Sequence, residues 1–348
     1  MNKIRILFLA DFFMTVASFI VFIFSIITAI SGTSRPETGS YVSLIGLILP
    51  VIVISSLVLT IFWSIRKSFI VLIPLLALSI NYDSILSNIQ FRSDKSNISS
   101  DKKLSVKIAS YNIHEFKYID DQTSVSQISE FVRSRNLSII CFQEYKVPFF
   151  LNSSELIGSF DFLPYNYIKE PDKNEIGMAI FSRYPIIRAK KINFEDTGNG
   201  LIWVDIKTDS GRVIRIINNH LQTTNYIRNL NADVTRRIEF LQKNSIIRAH
   251  QADVVRAIID TTTIPIIVCG DFNDIPTSYT FSTIKGENLT DGFREAGSWL
   301  GGTFRGMGGL LRIDYILHSK ELKSTKYSNP NIDLSDHRPI ISELVFRY

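Results

Sequence analysis

Apolar residues are distributed very unevenly along this chain of 348 residues, and their distribution constrains its architecture more than any other feature. Residues 6–30 and 41–63 are almost entirely apolar, and residues 69–80 form a third, shorter apolar run. A membrane-spanning helix needs about 20 consecutive apolar residues, so the first two runs are long enough and the third is marginal. We therefore predict a transmembrane region of two to three helices over residues 1–82.

The basic residues around these runs predict their orientation. Lys3 and Arg5 precede the first run, and Arg66 and Lys67 separate the second run from the third. Basic residues are enriched on the cytoplasmic side of membrane proteins, so we expect both groups to be cytoplasmic. Three spans place the rest of the chain on the extracytoplasmic face, whereas a third run that only dips into the membrane leaves it inside. Tyr82 suits the membrane interface and favours the extracytoplasmic face.

A cleaved signal peptide is the alternative interpretation of the N-terminus. Lys3 and Arg5 precede an apolar run that ends at Ala29-Ile30-Ser31, a sequence compatible with cleavage. However, the run exceeds the roughly 7–15 apolar residues of a signal peptide, and further apolar runs follow it. We therefore favour a membrane anchor.

Composition changes after the apolar runs. The stretch from Ser93 to Ser105 is polar, small and charged, so it cannot bury enough surface to fold alone. We assign residues 83–104 to a linker and residues 105–348 to a separate domain, whose size suits one hydrophobic core. Cys141 and Cys269 both lie in apolar runs and are predicted to be buried core residues, and the sequence does not decide whether they pair.

The net charge bears on the class of partner. Residues 1–68 contain five basic and two acidic side chains, which gives +3 of the total +5 and leaves +2 for the remainder. A dedicated nucleic-acid-binding domain usually carries a clear basic excess. The near-neutral remainder therefore argues mildly against nucleic acid, which stays open as a partner.

Short apolar runs predict strands throughout the second domain, and two amphipathic segments, 122–135 and 232–260, predict helices. Many strands with few long helices in mixed order indicate an α/β fold with two packed mixed sheets flanked by helices, which is a four-layered sandwich. The predicted strands are 106–111, 137–143, 176–181, 201–206, 213–218, 264–269, 313–318 and 340–346.

Polar residues follow several of these strands, where a sheet can direct side chains from distant parts of the chain into one cleft. Each group alone is weak evidence, because an Asn, Asp or Gly after a strand is by default a cap or turn residue. The groups are Ser110-Tyr111-Asn112, Gln143-Glu144, Asn219-His220, Gly270-Asp271-Phe272-Asn273, Arg312-Ile313-Asp314 and Ser335-Asp336-His337-Arg338-Pro339.

The order of these six groups is much more specific than any one of them. It resembles the endonuclease/exonuclease/phosphatase superfamily, which includes DNase I-like nucleases, apurinic endonucleases, neutral sphingomyelinases and inositol polyphosphate 5-phosphatases. The resemblance covers residues 107–348 and implies a four-layered α/β sandwich that hydrolyses phosphate esters with Mg²⁺, or with Mn²⁺ in its place.

The resemblance also implies which residues bind the metal. Glu144 matches the main metal ligand of the family, and Mg²⁺ does prefer one or two carboxylates with water and phosphate at its other positions. Asp336 matches a second-metal or outer-shell ligand. Asn112 matches the residue that steadies the metal-bound phosphate or its carboxylate ligand, so we assign it to both metal and substrate binding.

The remaining matches imply catalytic roles. His337 is expected to act with Asp314, which would fix its tautomer and support its charged form. Asp271 is expected to orient or deprotonate the attacking water, and Asn273, on the same side of an extended segment, to hold a phosphate oxygen. His220 matches a residue that contacts the phosphate.

A glycine-rich segment, 301–309, precedes Asp314 and carries Phe304 and Arg305, which we assign to substrate binding. The other three histidines match no catalytic position, and we interpret them as structural or exposed. They are His114, His250 and His318.

These observations predict a membrane-anchored, metal-dependent hydrolase of phosphate esters. Two alternatives remain: an endonuclease acting on DNA or RNA, and an inactive membrane-tethered module that binds phosphorylated ligands. The sequence indicates a lipid bilayer and a phosphate ester as partners and gives no sign of a protein partner.

Overall fold

The computed structural model describes residues 3–38, 41–91, 105–117, 121–172, 175–195, 197–224 and 233–347. Most of the predicted linker, residues 92–104, lies outside the described residues, as does Ala232 at the predicted start of the long helix.

The apolar runs form helices. Two stretches, 7–31 and 42–65, are long and apolar enough to cross a membrane, while 69–80 is shorter. The third run consists of a 3-10 turn, Phe69–Val71, followed by nine α-helical residues, and it extends about 20 Å in all. The helices of this region are α1 (Lys3–Ser31), α2 (Val42–Ile45), α3 (Leu49–Ile65), α4 (Leu72–Ile80) and α5 (Tyr82–Leu86).

Polar contacts align these helices with one another. Arg66, at the end of α3, forms an ion pair with Asp11 of α1, so that Asp11 and Arg66 lie at one level. Near the other end of α1, Asn81 donates to the Ser25 hydroxyl at 2.7 Å. The second domain contacts the helices beyond that end, where the Ser31 hydroxyl donates to the Thr277 carbonyl at 3.0 Å.

The first part of the predicted linker is structured. Helix α5 covers residues 82–86, and strand β1 (Ile89–Gln90) pairs with β11 (Trp299–Leu300) of the second domain. Arg294 of that domain also forms an ion pair with Asp83 at 3.0 Å. Residues 83–91 therefore belong to ordered structure, because side chains and main chain of the second domain supply partners that their own composition does not reveal.

The second domain contains many strands and few long helices in mixed order, as predicted. Its helices are α6 (Asp121–Ser134), α7 (Ser153–Gly158), α8 (Val234–Asp260), α9 (Tyr279–Lys285) and α10 (Gly292–Ala296). Its other strands are β2 (Ser105–Asn112), β3 (Ile139–Gln143), β4 (Tyr165–Lys169), β5 (Met178–Ser182), β6 (Ile186–Asn193), β7 (Gly200–Lys207), β8 (Val213–His220), β9 (Ile266–Asp271), β10 (Leu289–Asp291), β12 (Asp314–Ser319), β13 (Leu322–Ser328) and β14 (Ile340–Phe346).

Two six-stranded sheets form the centre of this domain. The first has the order β13-β14-β2-β3-β5-β4 and the second β10-β12-β9-β8-β7-β6. The pairs β2–β3 and β8–β9 are parallel and the other neighbours are antiparallel, so both sheets are mixed. The predicted α/β sandwich of two packed mixed sheets is confirmed.

Three apolar cores hold the layers together. One lies between the sheets and includes Ile108 and Ile216. A second joins the first sheet to α6 and α7, and a third joins the second sheet to α8 and α9. Cys141 and Cys269 are buried in the central core as free thiols and form no disulfide. The four layers therefore result from two sheets that are apolar on both faces.

A buried ion pair stabilises the edge of the second sheet. Arg312 and Asp291 are both almost completely buried, and the guanidinium donates to both carboxylate oxygens of Asp291, at 3.0 and 2.5 Å. The ring of Phe293 lies beneath the same guanidinium. Since neither charge reaches water, each depends on the other for compensation.

We expect Asp291→Ala to lower the free energy of unfolding by about 3–5 kcal/mol, because it leaves the Arg312 charge buried without a partner. Thermal denaturation of the full chain in detergent measures the effect as a lower midpoint. The matched control is Asp161→Ala, which breaks the exposed ion pair with Arg133 and is expected to leave the midpoint nearly unchanged. Equal effects of the two substitutions would contradict this expectation.

Candidate functional site

The ends of the central strands meet at one edge of the sandwich. In the first sheet Asn112 lies opposite Gln143, and in the second sheet Asp271 lies between His220 and Asp314. Because these strands belong to facing sheets, their terminal polar side chains converge in one cleft. The structure therefore brings together the strand-ending groups that the sequence identified.

Two backbone conformations direct side chains into this cleft. Glu144 follows β3 with φ of 52°, a left-handed conformation that turns the chain at the strand end. Gly270 has φ of 131°, and a Cβ atom there would lie 2.0 Å from the carbonyl oxygen of Asn219. Only glycine allows β8 and β9 to approach closely enough to place His220 beside Asp271.

Asn112 links the two principal carboxylates. Its Nδ2 donates to Glu144 Oε1 and to Asp271 Oδ2, both at 3.0 Å, while its Oδ1 accepts from the backbone N–H of His114 at 3.1 Å. The backbone contact fixes which end of the amide faces the carboxylates. An amide nitrogen cannot bind a cation, so this geometry fits the predicted steadying of a carboxylate and not the predicted metal ligand.

His220 faces the same two carboxylates. Asn199 Nδ2 donates to His220 Nδ1 at 3.1 Å, which leaves the proton of the neutral ring on Nε2. His220 Nε2 is buried and lies 3.5 Å from Glu144 Oε1 and 3.6 Å from Asp271 Oδ2. This N–H is a donor directed between two negative groups.

His337 forms the predicted pair with Asp314. Their Nδ1 and Oδ2 atoms are 2.9 Å apart, and His337 Nε2 faces Asp271 Oδ2 at 3.7 Å. The ring of Phe304 packs against the imidazole with centroids 5.2 Å apart. Thr303 Oγ1 accepts from the backbone N–H of Asp314 at 3.1 Å. Loop residues 303–304 therefore hold both members of the pair in place.

Asp336 lies at the open side of the cleft, where His114 joins it to Glu144. The distances from His114 Nδ1 are 3.6 Å to Asp336 Oδ1 and 3.5 Å to Glu144 Oε2. All three side chains are partly exposed. His114 is exposed, which agrees with its prediction as structural or exposed, but the sequence did not predict its position between these carboxylates, where a turn with positive φ at residues 114–116 places its ring.

Asn273 contacts Asp271 through a turn, whereas the sequence predicted an extended segment between them. The segment is not extended, because Asn273 has φ of 53° and its N–H donates to Asp271 Oδ1 at 2.8 Å. Its Nδ2 donates to Asp271 Oδ2 at 3.2 Å and to the carbonyl of Leu221 at 3.0 Å. Both amide protons are therefore engaged, and this geometry fits orientation of Asp271 instead of the predicted phosphate contact.

Arg305 points away from the cluster. Its guanidinium donates to the carbonyl of Ile332 and lies 3.7 Å from Asp333, while its backbone N–H donates to the carbonyl of Asp336 at 2.8 Å. Its side chain therefore holds the 332–333 loop, and substrate contact would require it to leave these partners. The other two histidines lie elsewhere: His250 is exposed near Glu37, and His318 is buried beside Glu295.

Burial and charge shift the pKa values of the central groups. Burial raises the pKa of Asp271 to about 6, against the opposing effect of His337. Burial also disfavours a charged His337, but the negative charges of Asp314 and Asp271 outweigh it and raise the pKa of His337 to about 10. Burial opposes ionisation of Glu144, yet contacts with His114 and His220 hold its pKa well below the usual range.

Asn199 and Thr303 carried no signal in the sequence. They act only through the groups they orient, and no pattern in the sequence connects them with those distant partners. Ser335 belongs to one of the six predicted groups but was given no role. It joins two elements, because its hydroxyl donates to the Asn112 carbonyl at 2.7 Å and accepts from the His337 N–H at 3.2 Å.

Two sets of side chains in this cleft could act as ligands of a metal cation. Glu144 and Asp336 present partly exposed carboxylates on either side of His114, and hard oxygen ligands of this kind suit Mg²⁺ or Mn²⁺. Asp271, Asp314 and His337 offer ligand atoms within 4.8 Å of one another. In the second set, Asp314 Oδ2 is bonded to His337, whereas Asp314 Oδ1 is buried without a hydrogen-bond partner among the described residues.

Comparisons with known proteins give the family of this fold. Residues 109–337 match the model of the Endonuclease/Exonuclease/phosphatase family, and residues 11–88 match a model described as a domain of unknown function. A search of the curated proteins finds no match.

Solved structures share the fold of the second domain. An endonuclease/exonuclease/phosphatase from Bacteroides vulgatus is 16% identical with a TM-score of 0.53, covering 70% of this chain and 99% of that one. A mannosyl-6-phosphatase from Bacteroides thetaiotaomicron is 17% identical with a TM-score of 0.51, covering 69% and 100%. The human Nocturnin catalytic domain, with bound sulfate, is 18% identical with a TM-score of 0.53, covering 70% and 96%. These likenesses show the fold alone.

The pKa of His337 is expected to fall in Asp314→Asn, because the substitution removes the nearest negative charge while the ring stays buried. An ¹⁵N NMR titration of histidine-labelled protein in EDTA measures it, with His337→Ala identifying the signal. Asp336→Asn is the control and should produce a smaller fall, since Asp336 contributes least among the charges acting on His337. An unchanged titration in Asp314→Asn would exclude the proposed effect of the pair.

Proposed function

This chain belongs to the Endonuclease/Exonuclease/phosphatase family, and we propose that residues 105–348 form a divalent-metal-dependent hydrolase of phosphate esters. Members of the family are hydrolases that act on phosphate esters with divalent metal ions. The observation that carries the proposal is the convergence of Glu144, His220, Asp271 and His337 around one cleft, with Nε2 of each histidine within 3.7 Å of Asp271 Oδ2.

Glu144 and Asp336 are the residues we propose to hold Mg²⁺ or Mn²⁺. Their carboxylates are partly exposed, so a phosphate oxygen and water can complete the coordination of the ion. When bound, the cation neutralises charge on the phosphate group. Asn112 keeps Glu144 in position through its hydrogen bond, and His114 must turn aside because its ring lies between the two carboxylates.

Asp271 is the proposed base for the attacking water. Its pKa of about 6 leaves it ionised at neutral pH yet basic enough to accept a proton. Asn112 and Asn273 both donate to Oδ2, and this fixes the direction of the carboxylate. The water would be held beside Asp271 and directed at phosphorus, in line with the departing oxygen.

The two buried histidines would stabilise the charge that develops on phosphate. His337 is protonated at neutral pH because Asp314 raises its pKa, and it presents the Nε2 proton to the cleft. His220 presents its own Nε2 proton because Asn199 occupies Nδ1. Donors fixed in advance at a buried site stabilise a transition state more strongly than donors that must reorganise.

We propose that α1 and α3 cross a membrane and that residues 69–80 carry the chain back towards the other side, so that the hydrolase lies on the extracytoplasmic face. The basic residues Lys3, Arg66 and Lys67 mark one end of the helices, and the positive-inside rule assigns that end to the cytoplasm. Asn81, which follows the third run, contacts Ser25 near the opposite end of α1, and the hydrolase domain contacts Ser31 at that end, which supports this assignment.

The full chain in detergent micelles provides the direct assay. Bis-p-nitrophenyl phosphate reports phosphodiester hydrolysis by release of nitrophenolate, measured with Mg²⁺, with Mn²⁺ and with EDTA. Metal-dependent turnover supports the proposal. Absence of turnover with either ion over a broad range of pH would contradict it and favour the module that binds phosphorylated ligands without reaction.

His337→Ala and Asp271→Ala are each expected to lower kcat by at least about a hundredfold, because each removes a group placed at the reacting atoms. The control His250→Ala changes an exposed histidine on α8 and should retain wild-type kcat. Thermal midpoints close to wild type show that the variants are folded. Near-wild-type turnover in either site variant would contradict the assigned role.

Glu144→Gln is expected to raise the Mg²⁺ concentration needed for half-maximal activity by at least about tenfold, since it removes a full negative charge from the proposed ligand set. A Mg²⁺ titration after EDTA treatment measures this concentration. The matched control is Glu130→Gln, which changes an exposed carboxylate on α6 and should titrate like wild type. An unchanged requirement in Glu144→Gln would assign the ion to other residues.

A further inference from the structure

Four large, exposed apolar side chains lie on the β1–β11 ribbon and at the ends of the glycine-rich loop that reaches the catalytic residues. Trp299 is 76% exposed and Leu300 53%, and together they form β11. Leu310, at the other end of the glycine-rich loop, is 63% exposed, and Phe91, next to the paired strand β1, is 75% exposed. We call these four residues the apolar rim. Several large exposed apolar side chains on one ribbon and its adjoining loop indicate a contact surface, because single exposed apolar residues are common and several close together in the chain are not.

The loop that carries the apolar rim also reaches the catalytic residues. Between Leu300 and Leu310, Phe304 packs on the His337 ring and Arg305 N–H donates to the Asp336 carbonyl. Phe304 also forms isolated bridges with both Leu311 and His337. The two ends of this loop are therefore exposed and apolar while its middle forms one wall of the cleft.

The helices indicate where the membrane boundary would lie relative to the hydrolase domain. From Asp11, which pairs with Arg66, to Ser31, which contacts the hydrolase domain, α1 rises about 30 Å, equal to the thickness of a bilayer core. Asn81 lies at the level of Ser25, about 9 Å short of that boundary.

The chain then leads directly from Asn81 to the apolar rim. Gly301 N–H donates to the Asn88 carbonyl at 3.0 Å, and Trp299 pairs with Gln90 in the β1–β11 ribbon. Arg294 holds Asp83 on the same side of the domain. The apolar rim is thus attached eight to ten residues after the end of α4, which lies near the membrane boundary.

We propose that the apolar rim inserts into the outer surface of the bilayer and that the substrate is the phosphate ester of a membrane lipid. This rests on the proposed hydrolase function and on the membrane anchor. Tryptophan beside aliphatic residues is typical of proteins at a membrane interface, where lipid phosphates lie. In this proposal the ends of the 300–310 loop lie in the lipid while Phe304, in its middle, packs on His337. The loop would therefore hold the catalytic cleft at the level of the lipid phosphates. Nucleic acid is disfavoured because these exposed residues are apolar and not basic.

The first test measures insertion without any reaction. The full chain is reconstituted in phosphatidylcholine vesicles with and without brominated acyl chains, and the emission of Trp299→Phe is subtracted from that of wild type. The difference isolates Trp299 from Trp63 and Trp203. Quenching by brominated lipid is the expected result. Emission that resists brominated lipid and is quenched by aqueous iodide would overturn the proposal.

The second test compares two substrates with the same leaving group. Bis-p-nitrophenyl phosphate is water-soluble, and hexadecyl p-nitrophenyl phosphate partitions into the vesicles. We expect kcat/KM for the hexadecyl ester to exceed that for the soluble ester by about tenfold or more, and to lose this advantage in Trp299→Ser/Leu300→Ser. Turnover of the soluble ester should be unchanged in that variant.

The control variant is Tyr165→Ser/Ile187→Ser, which removes exposed apolar side chains from edge strands β4 and β6 on the opposite side of the sandwich. It should retain the preference for the hexadecyl ester. Hydrolysis of the soluble ester without preference for the hexadecyl ester would overturn the lipid substrate and leave the hydrolase intact. If neither ester is hydrolysed, the hydrolase function fails, and the lipid quenching still decides whether the apolar rim inserts.

Discussion

One buried polar contact between the sheets determines where the proposed catalytic residues meet. Gln143 Nε2, at the end of β3, donates to Asn218 Oδ1 of the second sheet at 2.6 Å. Asn218 Nδ2 donates in return to the carbonyls of Phe142 and Ala179, at 2.9 and 3.3 Å. Apolar contacts between sheets are non-directional and tolerate small displacements, whereas a buried amide left without partners costs about 1–3 kcal/mol. The amides therefore fix the position of one sheet on the other. Glu144 follows Gln143, and His220 lies two residues after Asn218, so the same contact places them 3.5 Å apart.

The interior of both sheets could be predicted from the sequence, but their edges could not. The eight predicted strands correspond to β2, β3, β5, β7, β8, β9, β12 and β14, all of which have a neighbour on both sides. The four missed strands of the two sheets, β4, β6, β10 and β13, are the four edges. Central strands are buried on both faces and form continuous apolar runs. Edge strands such as β6, with the sequence IIRAKKIN, carry exposed basic residues that protect an open edge from pairing with other chains. That protection removes the apolar pattern on which the prediction depends.

The sequence predicted those residues of the candidate site that lie next to a predicted strand. Glu144, Asp271 and His337 each follow or precede an apolar run, so both the sequence order and the resemblance indicated them. The contact of His114 with the site was not predicted, because it depends on a turn in which residues 114–116 all have positive φ. The sequence His-Glu-Phe does not indicate such a conformation, which is uncommon for residues other than glycine. Asn112 and Asn273 were placed in the site, but the groups that their amides contact were left open or expected to differ, since the direction of an amide depends on partners from other elements. Tertiary contacts, and not local pattern, decided these details.

The topology also sets when the site can form during synthesis. β14 is the last strand of the chain, yet it lies inside the first sheet between β13 and β2, with Ile340 opposite Ser110. Until residues 340–346 leave the ribosome, β2 keeps an unpaired edge, and His337, just ahead of β14, cannot be positioned. Contacts between residues so far apart in sequence form slowly, because loop closure costs entropy before any contact repays it. The N-terminal helices are synthesised well before this step, so the second domain stays incomplete beside them until residues 340–346 are available to pair with β2.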